Sequence, residues 1–324
     1  MIAELSGFSK TTVSFVLNGV SEQNNISKAT QEKILRIAEE QSYKVNRLAQ
    51  SLSTGKTNCL GFIVPSISNP FFGNLARNIE KFAGELGYSV MIASTGEKFE
   101  RELQMLEEFS SRSLDGIILA TCAHREEEVE ALKKIKTPIV YVDRVPAFCD
   151  SSYVGINNVE ATELLVKELI EMGHKKIVLV SLTSFLPNIK DRIEGYSKAM
   201  KDNGLDNALI WEIDYNDRKQ SIKNIIDSVL SREDVPYGFV FLNNEMASEA
   251  IWYLNKHHKD LVSKISFSCF DDLAMFDYVT PKVTSALQPI EEVAKRSVKM
   301  MANIIKSNKP QAGVLLDASI IKRK

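Results

Sequence analysis

Residues 7–19 read G-F-S-K-T-T-V-S-F-V-L-N-G, and in that short stretch one helix stops and another starts. Gly7 suits the position just past a helix running from Met1 to Ser6, and Ser9 suits an N-cap, because its hydroxyl can accept from an amide one turn ahead. Val13, Val16 and Leu17 recur at i, i+3, i+4 and form a buried stripe, which leaves Lys10, Thr11, Ser14 and Phe15 on other faces. Gly19 ends this helix, and Ser27 caps a third one, where Ile34, Ile37 and Ala38 share a face. Two short helices joined by a tight turn and braced by a third make a helix-turn-helix unit. The aromatic Phe15, left outside the stripe, needs a partner from outside the unit.

The rest of the chain must be something else, because such a unit uses only its first fifth or so. The 324 residues are 44% hydrophobic and 25% charged, with 40 Lys and Arg against 42 Asp and Glu, a globular composition. At roughly 100 to 200 residues per domain, this length predicts two or three domains with cores of their own. Cys59, Cys122, Cys149 and Cys269 are widely spaced with no C-x-x-C, which fits a reducing compartment and argues against structural zinc. The apolar runs are strand-length and the opening residues lack a signal-peptide pattern, so the expectation is a cytoplasmic protein without membrane contact. Near-neutral charge excludes a chain that coats nucleic acid everywhere but leaves room for a local contact surface. Residues 1–55 carry six basic and five acidic side chains, so their attraction for phosphate is weak.

Beyond Thr57 short apolar strands alternate with amphipathic helices, which implies parallel sheets built from βαβ units. The alternation runs twice. Strands are expected near 59–64, 88–93, 116–120 and 139–142, with helical stripes at Leu75/Ile79/Leu86, Leu103/Leu106 and Val129/Leu132 between them. A second set is expected near 176–182, 208–213, 238–242 and 265–270. A helix over about 290–305 and a strand at 314–316 are too little for a domain and should return to complete the first half.

Residues 43–57 read Y-K-V-N-R-L-A-Q-S-L-S-T-G-K-T. Together with residues 7–19 and the doubled α/β pattern, this resembles the LacI (lactose repressor) family over essentially the whole chain. Gly55-Lys56-Thr57 also looks like the end of a phosphate-binding loop, but Gln50 stands where that motif needs glycine. The resemblance implies an α/β fold: an N-terminal helix-turn-helix headpiece plus a two-lobed doubly wound core of the type I periplasmic-binding-protein kind. It places the headpiece at 1–57 with a hinge helix at 46–52, an N-terminal lobe at 58–157 and 288–315, and a C-terminal lobe at 158–287 and 316–324. It also implies an effector-responsive transcriptional regulator, most naturally a repressor of a carbohydrate-utilisation operon, that binds pseudo-palindromic operator DNA as a homodimer. By motif position Lys10, Thr11 and Phe15 would face bases, and Ser9, Ser14 and Asn18 phosphates. Asn46, Ala49 and Leu52 of the N-x-x-A-x-x-L hinge would enter the minor groove. Phe15 stands where many members carry arginine, so the base it reads should differ.

A ligand cleft in such a fold lies at the carboxyl ends of the strands. There the sequence offers Ser66, Asn69, Phe71 and Phe72 in P-S-I-S-N-P-F-F, where Asn69 can cap the next helix. It offers Asp143 and Arg144 in V-D-R, Arg192 in D-R-I-E-G-Y, Asn243 and Asn244 after G-F-V-F-L, either of which can instead cap the next helix, with Asn243 the weaker ligand, and Asp271 in F-D-D. Carboxylates suit paired sugar hydroxyls, and a forked guanidinium suits hydroxyls or a carboxylate. Phe71 and Phe72 offer either a stacking wall or core at helical spacing, and Arg192 either a ligand grip or an interlobe ion pair. His124, His174, His257 and His258 add nothing to the site, and the adjacent His257 and His258, near the polar end of a helix, read as solvated. No catalytic constellation, metal site or cofactor motif stands out, and adjacent Asp271 and Asp272 point to opposite faces. An enzyme is therefore not expected, and the alternative is a sugar-binding protein without a transcriptional role.

Overall fold

The computed structural model describes the chain except residues 20, 23, 42, 44–54, 147–150, 184–185, 206–207, 215–216, 232–236 and 324. It divides into two compact units, Met1–Asn58 and Cys59–Lys324. The hinge reading at Asn46, Ala49 and Leu52 lies outside the described residues.

The first unit has α1 (Ile2–Ser6), α2 (Lys10–Leu17) and α3 (Lys28–Glu40). Gly7, at φ 75°, returns its amide to the Ala3 carbonyl and ends α1, a backbone conformation that glycine enters without penalty. The Ser9 hydroxyl accepts from the Thr12 amide at 3.0 Å and the Ser27 hydroxyl from Thr30 at 3.3 Å, so both expected caps form. Helices this short have no stability alone. Packing supplies it: Ile2, Val13, Val16, Ile34 and Ala38 form one buried cluster, with Ile34 wholly inaccessible.

The second unit has two six-stranded sheets. One has the order β11-β5-β4-β3-β1-β2, from β1 (Cys59–Val64), β2 (Ser89–Ser94), β3 (Gly116–Leu119), β4 (Ile139–Val142), β5 (Tyr153–Ile156) and β11 (Val314–Leu316). The other has the order β12-β10-β9-β8-β6-β7, from β6 (Ile177–Leu182), β7 (Leu209–Ile213), β8 (Gly238–Phe241), β9 (Ser266–Phe270), β10 (Val283–Leu287) and β12 (Ser319–Ile321). All pairings are parallel except β10 with β12. Strands covered on both faces become continuous apolar runs, as in F-I-V of β1 and F-V-F of β8.

Helices α4 (Pro70–Glu85), α5 (Phe99–Ser111), α6 (Glu126–Lys133) and α11 (Ile290–Ser307) accompany the first sheet. Helices α7 (Asn158–Glu171), α8 (Pro187–Asp202), α9 (Arg218–Leu230) and α10 (Asn244–His257) accompany the second. In each sheet the strand order reverses beside the first strand to enter it, β1 or β6. Loops leaving the carboxyl ends diverge there and leave a crevice. The chain passes between the sheets at 157–158, 287–290 and 316–319.

Strands β5, β10 and β12 were not expected from sequence. Their residues, Y-V-G-I, V-T-S-A-L and S-I-I, are short or half polar, and partners already in place recruit them into the sheets. Leu86, expected on a buried stripe, is 51% exposed because α4 stops at Glu85 and Leu86 falls beyond the helical period. No helix among the described residues is long and apolar enough to cross a membrane.

Candidate functional site

On the first unit Ser9, Lys10, Thr11 and Ser14 are exposed, while Phe15 and Asn18 are half-buried. Phe15 takes no part in the cluster beneath it. The amide of Asn18 donates to the Ser14 hydroxyl at 3.2 Å, which ties the end of α2 to its own exposed face. These side chains thus form a polar strip with one aromatic in it, on a helix whose opposite face is core.

In the second unit the expected cleft residues divide into two groups. Asn69 caps α4 by accepting from the Phe71 amide at 2.9 Å, with Pro70 first in the helix and Ser66 half-buried ahead of it. Phe71 and Phe72 are 6% and 5% exposed, pack edge to face at 5.0 Å and join the core with Leu75 and Ile79. Their helical spacing decides for the core, so the stacking-wall reading is corrected. Only Phe72 keeps a link to the cleft, through the Arg144 guanidinium 5.9 Å from its ring centre.

Asp143 and Asp271 form the second group, and their backbones carry the same unusual feature. They follow the fourth strand of each βα set, β4 and β9, with φ of 59° and 71°. A left-handed conformation costs a side-chain-bearing residue roughly 1 kcal/mol, and such positions concentrate at functional sites. Both carboxylates act through their charge on Arg192 of α8, which is 4% exposed. Arg192 donates from Nε to Asn158 at 2.9 Å and from Nη1 to the Leu242 carbonyl at 2.8 Å, while Nη2 lies 3.8 Å from Asp143. Its guanidinium stacks 3.5 Å from the Phe270 ring centre. The glycine of the R-x-x-G-Y motif is required here: a Cβ on Gly195 would lie 2.2 Å from the Val159 carbonyl, where α8 crosses α7. Tyr196 then anchors α8 by donating to the Ile177 carbonyl at 2.8 Å.

Burial pushes the Asp271 carboxyl up to about 6, against the pull of Arg192 and with Asp143 adding to the rise. Burial raises Asp143 as well, and Arg192 is lowered by burial despite both carboxylates. Gln288, on the crossing between β10 and α11, donates to Asp271 at 2.6 Å. Sequence reasoning missed Gln288 and Asn158, because nothing local marks a residue whose role comes from a chain crossing. Asn243 proves to be the helix cap of the pair after β8: its side chain accepts from the Met246 amide at 2.9 Å. The neighbouring Asn244 is 1% exposed, and its amide has no hydrogen-bond partner among the described residues.

Beside this cluster lies a cavity of about 420 Å³, lined from the first sheet by Glu97, Lys98, Cys122 and Arg144 and from the second by Leu182 and Leu186, among others. Of the expected cleft residues only Arg144 lines it; Arg192 and Asp271 are buried. Its inner wall is held by Glu102, fully buried, which accepts from the Thr121 hydroxyl at 2.5 Å and the Cys122 amide at 2.6 Å. Of the adjacent histidines His257 is exposed, whereas His258 is half-buried and meets Asp227 at 2.8 Å.

Residues 60–309 match the periplasmic binding protein domain, and residues 2–46 match the bacterial regulatory proteins of the lacI family. The chain belongs to the lacI family. This lacI-family chain is 28% identical to the catabolite control protein A of Priestia megaterium, over 99% of its own length and 94% of that relative. It is 26% identical to the sucrose operon repressor of Klebsiella pneumoniae, over 96% of its length and 92% of the relative. The solved lac repressor dimer bound to operator and the anti-inducer ONPF shares its fold, with a TM-score of 0.84, 22% identity and coverage of 100% of this chain and 97% of that one. The chain is thus a transcription regulator with a helix-turn-helix and a periplasmic-binding-type core.

Proposed function

We propose that this regulator represses a carbohydrate-utilisation operon, binding a pseudo-palindromic operator as a dimer in the cytoplasm and responding to a sugar-like effector. The lobes we assign are 58–157 with 288–315 and 158–287 with 316–324. The observation that carries the ligand part is the convergence of Asp143, Arg192 and Asp271 between the two sheets. Two of the three stand in left-handed backbone, and all three are able to satisfy hydroxyl donors and acceptors. The name of the sucrose operon repressor supports the sugar class. Dimerisation follows from the reach of one eight-residue helix, which reads too few base pairs for a specific site.

In this reading Lys10, Thr11 and Phe15 face bases, and Ser9, Ser14 and Asn18 face phosphates. Asn46, Ala49 and Leu52 form a hinge helix only when two hinges meet in the minor groove, with Leu52 wedged between base steps. Seven residues are too few for a helix in isolation, so a small lobe rotation can order or melt it. Leu52→Ala should weaken operator binding and leave effector binding unchanged. Unaltered operator affinity in that variant would reduce the segment to a linker. Thermal stabilisation against a panel of sugars and sugar phosphates identifies the effector, and a panel with no stabilising sugar rejects the class.

A further inference from the structure

The arginines around the cleft all have their forks engaged. Arg144 donates through Nη1 and Nη2 to both carboxylate oxygens of Glu97, at 2.6 and 2.8 Å. Arg125 donates through Nε and Nη2 to Glu128, at 2.8 and 2.5 Å, and the same carboxylate accepts the amides of His124 and Arg125. Arg192 is divided among Asn158, Leu242 and Asp143. The cavity wall balances three carboxylates, Glu97, Glu100 and Glu128, against three permanent cations, Lys98, Arg125 and Arg144.

Of these pairs Glu97–Arg144 is the one built into the cleft. Its side chains are 34% and 12% exposed, and Arg144 directly follows Asp143. Glu97 reaches it from a loop held in left-handed backbone at two consecutive residues, Gly96 and Glu97, with φ of 66° and 62°. That loop is fixed by the Thr95 amide on the Val64 carbonyl and the Gly96 amide on the Pro65 carbonyl. A left-handed glutamate is an unfavoured arrangement that the fold maintains at a ligand cavity. A bidentate carboxylate occupies the donor geometry that a phosphate or carboxylate ligand would use.

We infer that Glu97 is a specificity residue that denies the Arg144 fork to anionic ligands, so that the effector taken by this cleft is an uncharged polyol and not a phosphorylated or carboxylated sugar. An anion entering here would have to displace Glu97 or lie against its charge, and like charges brought together in a partly dry site are costly. An uncharged polyol meets a neutral pair and loses nothing to it. This inference rests on the effector reading above for the word polyol, but the exclusion of anions stands apart from it.

The test uses inorganic phosphate, with the full chain, followed by calorimetry and thermal melting. Wild type should show no saturable phosphate binding, whereas Glu97→Gln should bind phosphate at least about tenfold more tightly, the scale of one charge-assisted hydrogen bond. Adding Arg144→Gln to that variant should remove the gain. Glu97→Ala serves the same purpose should the amide itself occupy the fork. Phosphate bound equally by wild type and both Glu97 variants would overturn the inference, as would no gain in either folded variant. A parallel comparison of D-fructose with fructose 1-phosphate on wild type separates the two ideas. A sugar panel that fails entirely, while the phosphate gain appears, rejects the sugar reading and keeps the role of Glu97. Stabilisation of wild type by the phosphorylated sugar over its neutral parent overturns that role.

Discussion

In the headpiece Lys10, Thr11 and Ser14 stand on one helix of eight residues, while in the core Asp143, Arg192 and Asp271 come from the ends of β4 and β9 and the face of α8. The first surface needs only that α2 be helical and packed. The second needs two sheets, three chain crossings and a close helix contact at Gly195 before all of its members come together. Energetically the order reverses. The headpiece is held by a handful of buried side chains around Ile34, whereas the cleft rests on extensive cores on both sides. The contiguous surface therefore sits on the weaker support.

The sharpest way to break that contrast is Ile34→Ala. Truncating a wholly buried isoleucine costs roughly 2 to 5 kcal/mol, which a core of this size cannot absorb. Circular dichroism and calorimetry should show the headpiece unfolded and operator binding lost, with the melting of the core unchanged. A single cooperative transition that shifts as a whole would mean that the two units stabilise one another.

The core carries a pH signature of its own. Asp271 is raised from 3.8 to about 6, so below pH about 4 it is protonated in folded and unfolded chains alike. As pH rises toward 6 the unfolded chain releases this proton first, and the folded state loses roughly 2 to 3 kcal/mol of relative stability. Burial shifts Asp143 and Glu102 the same way. Core melting temperature should fall between pH 4 and 6.5, and Asp271→Asn should flatten that fall. An unflattened profile would place Asp271 in water instead of in the cluster.

A smaller effect sharpens the headpiece side. Phe15 is half-buried outside the cluster, with an aromatic edge suited to a thymine methyl. Phe15→Arg should move the selected base toward guanine by roughly 1 to 3 kcal/mol in a binding-site selection. An unchanged preference would remove Phe15 from the reading surface.

The same contrast explains what could be read from the sequence. Val13, Val16 and Ile34 declare themselves by period, and β1 and β8 by continuous apolar runs, because neighbours in sequence are neighbours on one face. Asp143, Arg192 and Asp271 were reachable because each closes a recognisable local motif. Gln288 and Asn158 were not, since their roles arise where the chain crosses between sheets, and no spacing encodes that. Asn243 and Asn244 both follow a strand, where a ligand residue and a helix cap look alike, and only the structure shows that Asn243 is the cap. Phe71 and Phe72 could be placed either way from sequence, and only the packing of α4 on its sheet assigns them to the core.

On the proposed function, a ligand in the cleft controls DNA binding by the headpiece. It is tested by operator affinity, measured by fluorescence anisotropy with and without the sugar that raises the melting temperature, in wild type and Arg192→Ala. The prediction is a change of roughly 5- to 150-fold in wild type, the span of ordinary allosteric coupling, that disappears in Arg192→Ala. A sugar that stabilises the core and leaves operator affinity the same in wild type would contradict it.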